Sequence, residues 1–435
     1  MGNRWGNFKY LWIGIEKESA LKKAVIVSAV RTPIGRYMGM LKDIPAYDLG
    51  ALVLNEAVKR TRLDPVRVDE VILGQSYQNG EYVNIARMSL LKAGWPDSIP
   101  GMTLDRRCCT GLDAVCHAAM AIQSGHAEIV VAGGVESMST AEFYIPGEIK
   151  WGIGGKKGMP RGHGDLSLWG IPIYDRIQRA RVMSQPEERY GILQTMMSWA
   201  ETAAKEEGIR REDCDRWALE SHRKACEAME SGKFREEIMP VPVPQLKGGV
   251  TLVDRDETPR TDTTFEQLSN LPPVLGGICT AGNSSSENDG AAVCVITSEE
   301  RAKELGLQPL AFIREFTTVG VDPRYTYQAV GLAVKKVLGK TGLRMDQMDL
   351  IEIQEAFAAQ VLADMKMLNL FEKDYGRINV NGSGISLGHP IACTGTRVLV
   401  TLLHEMKRRD SRFGLESICG GGGLGIAAIF ERQSK

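Results

Sequence analysis

Two stretches far apart in the chain read alike, and they constrain the fold more than any other feature. Val68-Asp69-Glu70-Val71-Ile72-Leu73 and Met348-Asp349-Leu350-Ile351-Glu352-Ile353 are buried-strand patterns, each following an amphipathic helical stretch of similar length. The likeness continues downstream. Cys108 and His389 each stand just before a helix of small residues, and residues 129–134 and 418–422 each carry an apolar strand into glycine. A period this long is no solenoid repeat, so it predicts duplication of a whole α/β unit. Duplication would bring both helix starts and both strand ends to one face.

Around that frame, residues 24–30 read as a first buried strand and 49–60 as a helix. A helix is expected over 111–124, a strand over 128–134, and the α/β pattern resumes at 290–297. Glycine, proline and charge cluster between, ahead of a helical pair at 196–207 and 212–231, which predicts an inserted loop domain. The expected organisation is an extension over 1–23, a first half from 24–142 plus 263–305, an insert over 143–262 and a second half over 306–435. The apolar run 10–15 in the extension is too short to span a membrane, and Glu16 and Glu18 oppose a transit peptide.

A chain of 435 residues with a net charge of −1 has a large core and no electrostatic footprint for nucleic acid or an anionic membrane. Its nine scattered cysteines fit no disulfide framework, so a cytoplasmic, reducing location is expected.

Three segments carry chemistry. In the first, Cys419 stands at the lip of an apolar strand and four glycines follow it. Bare amides beside a sulfur suit acyl transfer, where a thiolate attacks and N–H groups hold the oxyanion. Gly420, Gly422 and Gly425 also satisfy G-x-G-x-x-G formally, but residues 426–430 read as strand and the helix of a dinucleotide site has no room. In the second, Cys108 precedes a helix starting near Gly111, a position whose dipole lowers a thiol pKa. A plain buried cysteine is the alternative there, and Cys109 reads as structural. Zinc on Cys108, Cys109, Cys116 and His117 fails on spacing, so no metal is expected. In the third, His389 lies in a glycine-rich loop opening a helix, where imidazole can take a proton from a thiol or simply cap the helix. Gln354 leaves a buried strand with an amide able to hold water, and the polar turn 280–291 suits an amide-bearing ligand.

Together these segments resemble the thiolase family, the acetyl-CoA C-acyltransferases. The motifs run in the family's order: SAVRTPIG at 28–35, the Cys108 block, GGVESMS at 133–139, TAGNSSSENDGAA at 280–292, QEAF at 354–357, NGSGISLGHP at 381–390 and CGGGGLG at 419–425. The resemblance implies an α/β fold of five layers, αβαβα, from two similar halves with mixed sheets. It implies reversible Claisen condensation and thiolysis of short 3-oxoacyl-CoA, with two acetyl-CoA giving acetoacetyl-CoA and CoA. Cys108 would be acylated, His389 would activate it, and Cys419 would be the acid/base at the second substrate's Cα. Backbone N–H groups of Cys108 and Gly421 would form an oxyanion hole. Ser285, Arg260, Ala281, Met196, Ala356 and Phe357 would contact CoA or the acyl chain, with Lys156, Lys157 and Arg161 available to CoA phosphates. CoA is substrate and product, no cofactor is implied, and a homodimer or homotetramer is expected.

Three positions depart from the pattern: Gln354 replaces the usual Asn, Cys109 replaces Gly or Ser, and residues 195–202 differ from the short-chain HMGxTAEN segment. Three alternatives stay open: a degradative 3-ketoacyl-CoA thiolase for longer chains, a noncatalytic CoA-binding subunit, and a decarboxylating ketoacyl synthase.

Overall fold

The computed structural model describes residues 21–147, 172–245 and 247–433. The Lys156, Lys157 and Arg161 cluster and residues 1–20 of the expected extension lie outside the described residues.

The chain opens with β1 (Ala24–Arg31), β2 (Gly35–Arg36), α1 (Ala46–Thr61), β3 (Glu70–Gly74), α2 (Ile85–Lys92), β4 (Gly101–Leu104), α3 (Thr110–Gln123) and β5 (Ile129–Ser137). Small elements follow: β6 (Phe143–Tyr144), β7 (Tyr174–Asp175), α4 (Arg176–Val182), α5 (Glu187–Tyr190), α6 (Met197–Glu207), α7 (Arg211–Glu230), β8 (Val241–Pro244), β9 (Val250–Val253) and α8 (Phe265–Ser269). Next come β10 (Asn288–Ser298), α9 (Glu299–Glu304) and β11 (Ala311–Gly320). The chain closes with α10 (Gln328–Thr341), β12 (Leu350–Ile353), α11 (Ala358–Met367), α12 (Gly384–Leu387), α13 (Ile391–Arg409), β13 (Phe413–Gly420) and β14 (Leu424–Glu431).

Strand order is β12-β13-β14-β11-β1-β10-β5-β3-β4, with β2 paired to β10. The order is one unit used twice. β3 pairs parallel with β5, β5 antiparallel with β10, and β10 antiparallel with β1. Correspondingly, β12 pairs parallel with β13, β13 antiparallel with β14, and β14 antiparallel with β11. Among the described strands, the halves pair through Val25↔Phe312 and Ile26↔Ala311. Even the local bracing repeats. Asp69 Oδ2 accepts from the N–H groups of Glu128 and Ile129 at 2.7 and 2.9 Å, and Asp349 Oδ2 accepts from those of Arg412 and Phe413, both at 2.8 Å.

Three apolar cores make the layers. One joins α1 and α2 to the outer face of the first sheet half, and another joins α6, α10 and α11 to the outer face of the second. Between the two sheet halves, α3 and α13 share a core with the inner faces of both. The result is the expected αβαβα arrangement with mixed sheets. Burial on both faces explains the nearly unbroken apolar runs of β5 and β10.

Glycine permits the central crossing. A β-carbon on Gly111 would stand 2.6 Å from Ala392 O, and one on Gly395 would stand 2.4 Å from Leu112 N. The two backbones therefore touch where Cβ atoms would hold them apart, and that contact sets the starts of α3 and α13 side by side. Among the described residues, no helix is long and apolar enough to cross a membrane.

Candidate active site

The closeness of these two helix starts builds the site. Cys108 precedes Cys109, the N-cap of α3, and His389 stands two residues before α13. His389 Nε2 lies 3.2 Å from Cys108 Sγ. Thr394 Oγ1 donates to Pro390 O at 3.0 Å, so its lone pair faces His389 Nδ1 at 2.7 Å. Nδ1 consequently carries the imidazole hydrogen, and Nε2 offers its lone pair to the thiol. The His389 backbone N–H donates to Asn288 Oδ1 at 2.9 Å, which ties the loop to β10.

A position ahead of α3 predicts a Cys108 pKa lowered by the helix dipole. Burial overrides it: the thiol is pushed up to about 11, although the Gly421 N–H on the sulfur and the Arg107 charge both favour thiolate. Burial, with Arg397 and Arg181 nearby, lowers His389 to about 3. At neutral pH the pair is therefore neutral thiol and neutral imidazole. Arg106 turns away to Asp113 at 3.0 Å, while Arg107 lines the cavity.

The glycine run is the turn of a β-hairpin. Cys419 pairs with Gly425 across β13 and β14, and Gly422 and Gly423 take φ of 87° and 82°, where glycine is preferred. This places the Cys419 thiol and Gly421 on the wall of the cavity that Cys108 and His389 enter. Burial pushes the Cys419 thiol well above its ordinary pKa, with Cys108 and Asp364 adding to the effect.

That cavity measures about 310 Å³. Ser285, Met196, Ala356 and Phe357 also line it. The polar turn reaches it because Ser285 N–H donates to Ala356 O and Ala358 N–H to Asn283 O, each at 2.9 Å. Trp199 packs edge-on against Phe357 with ring centroids 5.1 Å apart. Ala281 and Arg260 lie outside the lining, both exposed. Gln354 is also off the wall. It is fully buried against Gly384, and neither end of its amide has a hydrogen-bond partner among the described residues.

Several lining residues escaped the sequence reading: Ser76, Tyr77, Met138, Gln178 and Arg181. Glu136, inside the quoted GGVESMS motif, was passed over as well. Its carboxylate accepts from the N–H groups of Ser76, Tyr77 and Ala392 at 3.1 to 3.2 Å, joining the cavity wall to the start of α13. Thr394 was legible only as one more small residue of that helix.

Comparison with known proteins agrees with this geometry. Residues 24–300 match the family model described as "Thiolase, N-terminal domain", and residues 307–432 match "Thiolase, C-terminal domain". An acetyl-CoA acetyltransferase of Pseudomonas aeruginosa is 43% identical, covering 95% of this chain and 100% of its own. A beta-ketoadipyl-CoA thiolase of Acinetobacter baylyi is 41% identical over the same shares. The crystal structure of the Bacillus anthracis acetyl-CoA acetyltransferase superimposes with a TM-score of 0.86 at 42% identity, covering 95% of this chain and 99% of that one.

Proposed function

This chain belongs to the thiolase family, and we propose that it is an acetyl-CoA acetyltransferase that interconverts two acetyl-CoA with acetoacetyl-CoA and CoA. The observation that carries the reading is the Cys108–His389 contact of 3.2 Å in a cavity that also receives Cys419.

The chemistry runs in two stages. His389 Nε2 takes the Cys108 proton as Sγ bonds to the thioester carbonyl carbon. CoA leaves as thiol after recovering that proton, and Cys108 is acetylated. The neutral resting pair suits this, because charge appears only as the sulfur attacks. N–H groups of Cys108 and Gly421 are assigned to the oxyanion. In the second stage the Cα carbanion of another acetyl-CoA attacks the acetyl group, and Cys108 departs. Cys419 is assigned the Cα proton. A buried thiol protonated at rest suits delivery of that proton in cleavage, and condensation reverses the transfer.

Ser285, Met196, Ala356 and Phe357 are assigned to the acyl and pantetheine arm. Exposed Arg260 and Ala281 are assigned to its outer end. Gln354 is assigned a water that supports the oxyanion; Gln354→Ala should slow condensation more than it weakens CoA binding, and full retention of activity would make it a bystander. A homodimer or homotetramer is supported by the open outer edge of β4, to which no described strand pairs, and light scattering tests it.

Relatives of nearly equal identity carry names for different acyl groups, so degradation of longer 3-oxoacyl chains is the second reading. The test is CoA-dependent loss of acetoacetyl-CoA absorbance, followed by a ladder of longer substrates. Thiolysis of acetoacetyl-CoA is expected; no activity on any 3-oxoacyl-CoA would overturn the proposal.

A further inference from the structure

Two arginines, Arg107 and Arg181, line the cavity, and among the described residues no carboxylate side chain lines it with them. Most of the remaining wall is apolar, including Met138, Met196, Trp199, Val274, Phe357 and Ile391. A guanidinium beside such a wall is costly unless a partner offsets it.

Arg181 is offset. It pairs with Glu287 at 2.7 Å. Arg107 is not. Among the described residues it has no ion-pair partner, and its guanidinium makes one long bond, from Nη2 to Ala180 O at 3.5 Å. Its backbone lies at φ 53°, in the left-handed region that disfavours a residue with a β-carbon. Asp105 Oδ1 accepts from the Arg107 N–H at 2.7 Å and fixes that turn. Neighbouring Arg106 points to Asp113 instead. Among the described residues, one positive charge without an ion-pair partner thus lines the cavity next to the nucleophile.

We propose that Arg107 selects acyl chains ending in a carboxylate, so that among 3-oxoacyl-CoA thioesters longer than acetoacetyl-CoA those of dicarboxylic acids are preferred over their methyl-ended counterparts. The inference rests on the thiolase reading. In cleavage, Cys108 Sγ bonds to C3 and the C2–C3 bond breaks. Acetyl-CoA departs with the electron pair and receives a proton at C2 from Cys419, while His389 holds the proton from Cys108. The distal part of the chain stays on Cys108, so its free end extends into the cavity that Arg107 also lines. CoA's phosphates cannot serve as the partner, because the pantetheine arm holds them far from the reacting thioester. Planar guanidinium and carboxylate pair through two parallel N–H···O bonds.

The test compares thiolysis of 3-oxohexanedioyl-CoA and 3-oxohexanoyl-CoA, six-carbon probes that differ only in the terminal group, with acetoacetyl-CoA as the control. Wild type should favour the carboxylated probe in kcat/KM by at least about tenfold. Arg107→Gln should collapse that ratio toward one, Arg107→Lys should keep part of it, and added salt should reduce it in wild type. A wild-type ratio at or below one would overturn the proposal. So would a ratio that survives Arg107→Gln, because an arginine that merely tuned the Cys108 thiol would slow both probes equally. Acetoacetyl-CoA cleavage with a flat ratio sinks only this inference, whereas cleavage of none of the three sinks the thiolase reading as well.

Discussion

At the residue scale, the site depends on which imidazole nitrogen carries the hydrogen, and Thr394 decides that. Thr394→Val keeps the side-chain volume and removes the Nδ1–H acceptor. It should slow acylation by acetyl-CoA at least about tenfold with little change in KM; a parallel fall in binding and rate would mean that Thr394 only shapes the loop. The depressed His389 pKa has a pH consequence. An imidazole that gains its proton only near pH 3 remains a base throughout the neutral range. The acylation rate should therefore show no acid limb near the ordinary imidazole value of about 6.5, falling only at much lower pH. A limb near neutrality would contradict the assigned environment.

At the element scale, the crossing of α3 and α13 sets the Cys108–His389 distance. Gly395→Ala would drive a methyl group against Leu112 N and should cost about 1–3 kcal/mol, read as a lower Tm together with lost activity. Gly339→Ala is the control. It sits inside α10 with open space around it, so the same change should stabilise by about 0.5–1 kcal/mol. Equal effects at both positions would refute close packing as the reason for Gly395.

Much at this scale was readable beforehand. The duplicated strand pattern announced two like halves, since buried strands print long apolar runs. Cys108, His389 and Cys419 stood out because each adjoined glycines or a helix start. Arg107 and Arg106 could not be told apart, because a left-handed backbone leaves no periodic signature. Glu136 and Arg181 were missed because their partners come from distant loops, and the placing of Ala281 and Arg260 outside the lining was not legible because a motif does not reveal which of its side chains faces a cavity. The Cys108 pKa was misjudged because a dipole is local, while burial depends on the whole fold.

At the scale of the whole molecule, Arg31 at the end of β1 locks later segments onto the sheet. It is fully buried, pairing with both oxygens of Asp256 at 2.7 and 2.8 Å and with Glu237 at 2.8 Å. Arg31→Met would strand two buried carboxylates and should cost about 3–5 kcal/mol in denaturant unfolding; a loss below about 1 kcal/mol would show that the cluster relaxes freely. In the proposed chemistry the folded halves bring two thiols to one substrate with separable duties. Mass analysis of protein mixed with acetyl-CoA alone tests it most directly, on wild type, Cys108→Ala and Cys419→Ala. Acetyl adducts on the Cys108 peptide are predicted in wild type and in Cys419→Ala, with no condensation product from the latter and no adduct in Cys108→Ala. An adduct that persists without Cys108, or acetoacetyl-CoA formed at the wild-type rate without Cys419, would contradict the account.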